Sequence, residues 1–212
     1  MQVIERSILK GTAVMTQEVI DNIHVTNWED YVEMAAFTAR DDYHNVEHYV
    51  TGLGTEAGEL LDAFKKNRVY KEPLDSINVL EEVGDIVWYA SGLFRLWDRS
   101  FIPLVHKSND DDLFSHARQV FIWSGEAVQS FHVYEMLGYD DLLEQEISRE
   151  KILDATHWIM YHGYEMLNLL NFEVEECHTR NIKKLWTRYQ GKFNEKMAKE
   201  RDLDAERDAL EL

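Results

Sequence analysis

Apolar residues recur every three or four positions along most of this chain, which is the period of one face of an α-helix. The clearest runs cover residues 46–66 and 77–97. The same spacing predicts further helices over residues 27–40, 113–137, 148–170 and 181–189. The sequence has only two prolines, Pro73 and Pro103, so few residues interrupt these helices. The pattern predicts an all-α fold and leaves residues 1–26 unassigned.

Length and composition allow one large globular domain or two small ones. The 212 residues are 45% hydrophobic and 12% aromatic, which is enough to bury a core and too much for a disordered chain. We predict a single domain over residues 1–212, with a charged helical tail at residues 193–212. No signal-peptide pattern opens the chain, no run of about 18 apolar residues predicts a membrane span, and Cys177 is the only cysteine. We therefore expect a cytoplasmic protein.

The chain is strongly acidic, with a formal net charge of −18. Such a surface repels DNA and anionic membranes, so we expect neither nucleic acid nor a membrane as a partner. Acidity by itself does not indicate metal binding, because most acidic side chains are solvated. The informative carboxylates are those that fall among apolar residues.

Two pairs of carboxylates fall within the two clearest helices. Glu56 and Glu59 are three positions apart, as are Glu82 and Asp85, so each pair lies on one face of its helix. A glycine lies between the members of each pair, although glycine costs about 1 kcal/mol inside a helix. Glycine there lets a neighbouring helix or a ligand approach closely. We predict that the two helices cross and direct all four carboxylates into a common space.

Four carboxylates in one place repel one another and raise each other's pKa unless a cation neutralises them. Hard divalent cations prefer oxygen ligands, and Mg²⁺ commonly bridges carboxylates and a substrate phosphate. Such an ion polarises a phosphoryl group and can generate a hydroxide nucleophile. The alternative is that the four acids are ordinary solvated charges on amphipathic helices, and two consecutive pairs with internal glycines favour the metal site.

These motifs resemble those of the MazG-like all-α nucleotide pyrophosphohydrolases. Residues 52–66 and 81–89 match the family pattern of Glu-x-x-Glu, a variable spacer and Glu-x-x-Asp, and residues 181–193 are similar to the segment that follows in many phage-encoded members. Together these stretches cover under half of the chain. The resemblance implies cleavage of a (deoxy)nucleoside triphosphate to the monophosphate and pyrophosphate with Mg²⁺, for which Mn²⁺ can substitute, in a bacterium or a phage-infected cell. By position, the metal ligands would be Glu56, Glu59, Glu82 and Asp85, one of which would also orient the attacking water.

Candidate substrate-binding residues lie mainly in the last of these stretches. Asn181, Lys184 and Arg188 fall on one helical face and suit triphosphate oxygens in an otherwise acidic protein. Lys65 could also reach a phosphate. The alternatives are a charged helix that pairs with acidic neighbours, and a surface lysine. The aromatic residues 88–89 could form a base pocket, although core packing explains them more simply.

Residues 113–171 resemble the catalytic helix pair of residues 46–97. Glu126 matches Glu59 and Asp154 matches Asp85, but Trp123 replaces Glu56 and Lys151 replaces Glu82. We predict an internal duplication in which the two pairs form one four-helix core and only the first pair keeps the metal. A single chain would then reproduce what simpler relatives, of the dimeric dUTPase type, make from two. Relatives of this kind often assemble, so we also expect a homodimer.

Two other functions are compatible with helices rich in carboxylates. Ferritin-like di-iron oxidoreductases need Glu-x-x-His on two helices and a Glu from each of two others. This sequence offers Asp154-x-x-His157, His44-x-x-Glu47 and His132-x-x-Glu135, none of which has the required order. The other alternative is a non-catalytic helical interaction protein, which would release no pyrophosphate from any nucleotide.

Overall fold

The computed structural model describes residues 17–39, 45–102, 112–136, 141–189, 196–197 and 200–211. Every regular element within these residues is helical, which confirms the predicted all-α fold. We number eight helices in chain order: α1 (Gln17–Asp21), α2 (Trp28–Thr38), α3 (Val46–Tyr70), α4 (Ser76–Leu96), α5 (Leu113–Met136), α6 (Leu142–Leu169), α7 (Val174–Tyr189) and α8 (Leu203–Glu211). None of them is long and apolar enough to cross a membrane. The break predicted around Pro73 is confirmed, because α3 ends at Tyr70 and α4 begins at Ser76. The break predicted around Pro103 lies outside the described residues.

Side chains at the helix starts satisfy the backbone N–H groups that a helix leaves without partners. The Asn45 side chain accepts a hydrogen bond of 2.7 Å from the backbone N–H of His48 at the start of α3. The Asp75 carboxylate accepts two such bonds at the start of α4. Lys71 ends α3 in the left-handed conformation, with φ of 62°. These local signals separate α3 from α4 and fix where the first helix pair turns.

Three helices are longer than the hydrophobic spacing predicts. The helix α3 continues to Tyr70, α6 begins at Leu142 and α7 begins at Val174. Asp141 caps the early start of α6 by accepting a hydrogen bond from the Glu144 N–H. The added turns of α3 and α6 are largely exposed. Apolar periodicity marks only the part of a helix that packs against a neighbour, so it misses turns that extend into solvent.

The chain divides into two compact units. One contains α1, α2, α7 and α8, and the other contains α3 to α6. This division does not by itself decide whether residues 1–212 form one domain, so that call stays a prediction. Within the first unit, α7 packs against α1, α2 and α8 and buries Trp186 completely. The predicted charged tail contributes α8 to this unit, while residues 193–195 and 198–199 lie outside the described residues.

The second unit is the four-helix bundle that the sequence predicts. The helix α3 packs on α4 and α5, and α6 packs on α5 and α4, which closes a ring of four helices. The two pairs occupy equivalent positions in this ring, since α5 has the same kinds of neighbours as α3, and α6 has the same kinds of neighbours as α4. The core is apolar and includes Leu53, Leu60, Leu80, Ile86, Leu93, Val120, Ile152, Ile159 and Met166. The bundle thus consists of two packed helix pairs, and its origin by duplication stays a prediction.

Two glycines allow α3 and α4 to approach closely. A Cβ atom on Gly92 of α4 would overlap the ring of Tyr49 on α3. A Cβ atom on Gly52 of α3 would overlap the ring of Tyr89 on α4. Each helix therefore accepts an aromatic ring of the other at a position without a side chain, and the two contacts fix the distance between the pair.

We expect Gly92→Ala to lower the free energy of unfolding by about 1–3 kcal/mol, because the added Cβ atom would overlap the buried ring of Tyr49. Urea unfolding measures this change. Gly125→Ala is the matched control, since a Cβ atom there meets nothing within 4 Å. The control should gain up to about 1 kcal/mol from helix propensity. Equal effects of the two substitutions would contradict the close packing of α3 on α4.

Candidate functional site

The first helix pair brings three carboxylates together. One oxygen atom from each of Glu56, Glu59 and Glu82 lies within 4.8 Å of the other two. The two glutamates of α3 are one turn apart and face α4, which supplies the third. No other group of three acidic, histidine or cysteine side chains lies this close in the described part of the chain. The predicted common space therefore contains at least these three side chains.

The three carboxylates differ in their exposure to solvent. Glu82 is only 7% exposed, Glu56 is half-buried and Glu59 is exposed. Burial raises the pKa of Glu82 to about 9, and the charges of Asp85, Glu56, Glu59 and Glu81 contribute to the rise. Without a cation, Glu82 therefore stays protonated at neutral pH. A positive charge bound at the exposed side would favour release of that proton.

Asp85 is the fourth predicted ligand and follows Glu82 by one helical turn on α4. It is near enough to Glu82 to raise the pKa of that group, and among the neighbouring charges its effect is the largest. It does not belong to the group whose oxygen atoms lie within 4.8 Å of one another. The structure thus gathers three of the four predicted ligands at one point and leaves Asp85 beside them.

The donor atoms fit a hard divalent cation. All three are carboxylate oxygens, which suit Mg²⁺ and Mn²⁺, and no histidine or cysteine belongs to the group. Glu82 gives an independent indication, because a buried acid among four other acids loses solvation and gains repulsion together. A divalent cation held by Glu56, Glu59 and Glu82 would remove the repulsion. The residues present are therefore compatible with the metal that the resemblance implies.

The predicted substrate-binding residues of α7 are engaged within their own unit. Asn181 accepts a hydrogen bond of 2.9 Å from the Tyr31 hydroxyl, and Lys184 is 0% exposed. Arg188 donates two hydrogen bonds to the buried Glu206 of α8. Burial lowers the pKa of Arg188, but the bonds to Glu206 outweigh this effect and the net shift is upward. These contacts favour a structural role, and phosphate binding by the three residues stays a prediction.

Lys65 lies on the surface of α3. It forms an ion pair with Asp62 of the preceding turn, which also pairs with Lys66 at 2.9 Å. The hydrogen bonds from the two lysines hold the pKa of Asp62 below its ordinary value. All three side chains are substantially exposed, so this network contributes little stability. Contact between Lys65 and a phosphate stays a prediction.

The second helix pair has a different surface at the matching positions. Trp123 stacks on Trp158, with ring centroids 5.7 Å apart and an interplanar angle of 12°. Glu126, Lys151 and Asp154 are exposed. Within the described residues, this pair holds no group of three metal-binding side chains. An aromatic stack and a lysine therefore occupy the second pair where the first pair gathers its acids.

An aromatic cluster lies further along the first helix pair. His48 of α3 contacts Trp88 and Tyr89 of α4, and Tyr49 of α3 contacts Trp88, with centroid distances between 5.5 and 6.1 Å. Burial lowers the pKa of His48, which favours the neutral imidazole. Seven helical positions, or about 10 Å, separate Glu82 from the tyrosine of α4. The sequence analysis singled out residues 88–89 but missed their partners on α3, His48 and Tyr49. These two residues precede Glu56 by about two helical turns, and this spacing could have indicated that they lie on the same side of α3.

We expect the Glu82 carboxyl to make the metal-free protein less stable as the pH rises. The pKa of Glu82 is 4.5 in its ordinary state and about 9 in the folded chain. Between these values the unfolded chain loses the proton while the folded chain keeps it, so stability is complete below pH 4.5 and falls progressively toward pH 9. Urea unfolding in the presence of a chelator measures this slope.

Glu82→Gln should remove this contribution, because glutamine stays neutral at every pH. The unfolding free energy of the variant relative to the original chain should therefore grow as the pH rises. Asp154→Asn, which changes an exposed carboxylate at the matching position of the second pair, is the control and should leave the slope unchanged. Parallel pH profiles for the original chain and Glu82→Gln would contradict the burial of this acid.

Comparisons with protein-family models, with curated proteins and with solved structures give no match to this chain. The similarity to the MazG-like pyrophosphohydrolases thus depends on the motifs of residues 52–66, 81–89 and 181–193, and stays a prediction. The geometry of the three gathered carboxylates and of the aromatic cluster is independent of that similarity. These side chains are therefore the features of the chain that point to a function.

Proposed function

We propose that this protein hydrolyses a (deoxy)nucleoside triphosphate to the monophosphate and pyrophosphate, with Mg²⁺ as the cofactor. One observation carries the proposal: Glu56, Glu59 and Glu82 meet within 4.8 Å on two packed helices, and the last is buried. Repulsion and burial make such a group of carboxylates destabilising when no cation is bound. A hard divalent cation would neutralise it and would also bind the phosphates of a nucleotide. The role we assign is removal of unwanted nucleotides in a bacterial or phage-infected cell.

The acids of the site have separate tasks in this proposal. Glu56, Glu59 and Glu82 would hold the divalent cation, which when bound neutralises phosphate charge and polarises the phosphoryl group. Glu82 releases its proton to become a ligand. A carboxylate of the site accepts a proton from water as the water oxygen bonds to phosphorus and the phosphoanhydride bond to pyrophosphate breaks. The charges of Asp85 and Glu81 both raise the pKa of Glu82, so these two acids lie close to the site. We assign acceptance of this proton to one of them.

The aromatic cluster of His48, Tyr49, Trp88 and Tyr89 supports a nucleotide as the substrate. It lies about 10 Å along the helix pair from the carboxylates. A nucleoside triphosphate with its phosphates at the acids spans this distance. Trp88 and Tyr89 are partly exposed, and in this proposal the base contacts the parts of their rings that face solvent. An inorganic polyphosphate has no base that could stack on these rings.

The two alternative functions have weaker support. A di-iron site requires histidine beside its carboxylates, and the gathered acids of the described chain include none. His157 instead lies within hydrogen-bonding distance of the Leu153 carbonyl, at 2.9 Å. Acids concentrated around the buried Glu82 destabilise the fold, and a purely structural interaction protein gains nothing that offsets this cost. Hydrolysis of a nucleoside triphosphate to the monophosphate and pyrophosphate therefore accounts best for the first helix pair.

We expect Mg²⁺-dependent release of pyrophosphate from at least one member of a panel of common NTPs and dNTPs. Glu59→Gln and Asp85→Asn should each lower kcat/KM by at least about 100-fold, because each removes negative charge from the place where the cation and phosphates meet. Coupled detection of pyrophosphate measures the rate. Activity that is unchanged in both variants would overturn the assignment of these acids.

Matched variants in the second helix pair test whether the chain has one site. Glu126→Gln and Asp154→Asn change the residues that correspond to Glu59 and Asp85. Both acids are exposed and belong to no group of three, so these variants should keep full activity. A loss equal to that of Glu56→Gln would contradict the single-site hypothesis.

Metal binding is testable without turnover. A divalent cation at about 100 times its Kd should stabilise the folded chain by about 2.7 kcal/mol. For a chain of this size we expect Tm to rise by roughly 5–10 °C with Mg²⁺ or Mn²⁺. Glu56→Gln should lose most of this rise, whereas Glu126→Gln should keep it. Equal responses of the two variants would place the cation elsewhere and would leave the catalytic assay to judge the reaction separately.

A further inference from the structure

The outer side of α5 is apolar over most of its length. Among the described residues, twelve large hydrophobic side chains are exposed, and eight of them lie on α5 or the first two turns of α6. Five of the eight belong to α5, and we call them the α5 stripe: Phe121, Ile122, Val128, Val133 and Met136. The outer side of a helix is normally polar, so this concentration indicates a surface that another molecule covers.

The two acids of α5 lie at the edges of the stripe. Glu126 and Glu135 are nine positions apart, which places them on opposite sides of the helix. The other exposed residues from 121 to 136 include no acid, lysine or arginine. Gly125 lies among them, and a Cβ atom there would meet nothing within 4 Å, so a partner helix can approach α5 closely at this point.

The helix α6 widens the stripe. It runs antiparallel to α5, since His116 contacts His162 and Trp123 contacts Trp158. This register places the first turns of α6 beside the second half of the stripe. Ile147 lies three turns before Trp158 on the same side of α6, which is the side toward α5, and it is exposed.

The corresponding side of α3 is charged. With Glu126 aligned on Glu59, the positions of residues 129, 132 and 133 on α5 correspond on α3 to Asp62, Lys65 and Lys66. These three side chains form an exposed ion-paired network. The bundle therefore accepts charge at these outer positions, and packing within the chain does not explain why α5 is apolar there.

Acids outnumber bases around the stripe. The exposed acids at its edges and on the first turns of α6 are Glu126, Glu135, Asp141, Glu144, Glu146 and Glu150. The last two pair with Arg99 and Arg149. The exposed bases near the other acids are Arg118, one turn before the stripe, and Lys151 of α6. An apolar centre thus has a negative border, on a chain whose net charge is −18.

This combination of features selects the kind of partner. A second copy of the chain would bring the same acids toward one another, and an anionic membrane would be repelled by them. A helix with one apolar side and lysines or arginines beside it matches both the centre and the border. Phe121 and Met136 are separated by about 22 Å along α5, so a helix of about 15 residues covers the stripe.

We propose that the α5 stripe binds a basic amphipathic helix of a partner protein. Apolar residues of the partner, spaced at i, i+3, i+4 and i+7, contact the stripe and Ile147. Its basic residues contact Glu126 and Glu135 at the two edges, and the acids of the first turns of α6. The proposal concerns association and is independent of the hydrolase activity.

Fluorescence anisotropy of a labelled model peptide tests the proposal on the full chain. The probe is a peptide of about 18 residues that has leucine on one helical side and lysine elsewhere. Its Kd should be about 10 µM or tighter at about 0.1 M salt. Two control peptides should bind at least about tenfold more weakly. One has glutamate in place of every lysine, and the other has the same composition with its leucines scattered round the helix.

Variants of the stripe locate the binding. Ile122→Ser combined with Val133→Ser should raise the Kd of the lysine peptide at least about tenfold, because two apolar contacts are lost. Val69→Ser is the matched control, since Val69 is 63% exposed and occupies on α3 the position of Met136 on α5. Its Kd should stay within about twofold of the original value. Circular dichroism of each variant verifies that the fold is retained.

Variants of the border test the charge complementarity. Glu126→Gln combined with Glu135→Gln should raise the Kd about three- to tenfold and should weaken its dependence on salt. Asp204→Asn combined with Asp208→Asn removes the same charge from exposed positions of α8 and should change the Kd less than about twofold.

Several results would overturn the proposal. One is equally tight binding of the peptide with scattered leucines, which would show attraction by charge without a defined surface. Another is a Kd that the serine variant of the stripe leaves unchanged, or that Val69→Ser raises as much. Absence of peptide binding, or a dimer of the original chain in sedimentation velocity that excludes the peptide, would also contradict a basic helix as the partner.

Discussion

The repulsion among the carboxylates of α3 and α4 is the constraint on which the rest of this structure depends. Glu82 is buried with four other acids close enough to raise its pKa, an arrangement that opposes folding of the apo chain. The surrounding bundle must therefore be stable enough to hold it. Close packing supplies that stability, because the ring of Tyr49 lies against Gly92 and the ring of Tyr89 lies against Gly52. The same contacts that support the acids also position the aromatic cluster beyond them.

The two helix pairs show how one architecture can carry different chemistry. Their packing is interchangeable, yet the first pair gathers acids and the second stacks Trp123 on Trp158. Core positions decide the bundle, whereas the residues at its outer and partly buried positions decide what it can bind. The second pair has a structural role of its own, since α5 and α6 cover the apolar sides of α3 and α4. Its solvent side carries exposed apolar side chains, among them Ile122 and Met136.

The basic face of α7 illustrates the limit of interpreting a charge pattern. Asn181, Lys184 and Arg188 lie on one side of a helix, as their spacing predicts. The spacing does not reveal what covers that side. In the structure Tyr31 bonds to the first, and Glu206 from the C-terminal helix holds the third. Both partners are distant in sequence from most of α7, so periodicity alone could not distinguish a buried polar network from a phosphate-binding surface.

The sequence by itself determined the helices of the bundle and the one-turn spacing within each carboxylate pair, because these follow from local periodicity and capping residues. The glycine between Glu56 and Glu59 does not bring the helices together, since a Cβ atom at Gly58 would meet nothing within 4 Å. Only the tertiary structure decided that Glu82 is the buried acid, that Asp85 lies beside the three gathered carboxylates, and that His48 joins the aromatic cluster. The physical reason is that spacing along a helix fixes the angle between side chains of that helix, while burial, pKa and partners depend on which neighbouring helix covers each side.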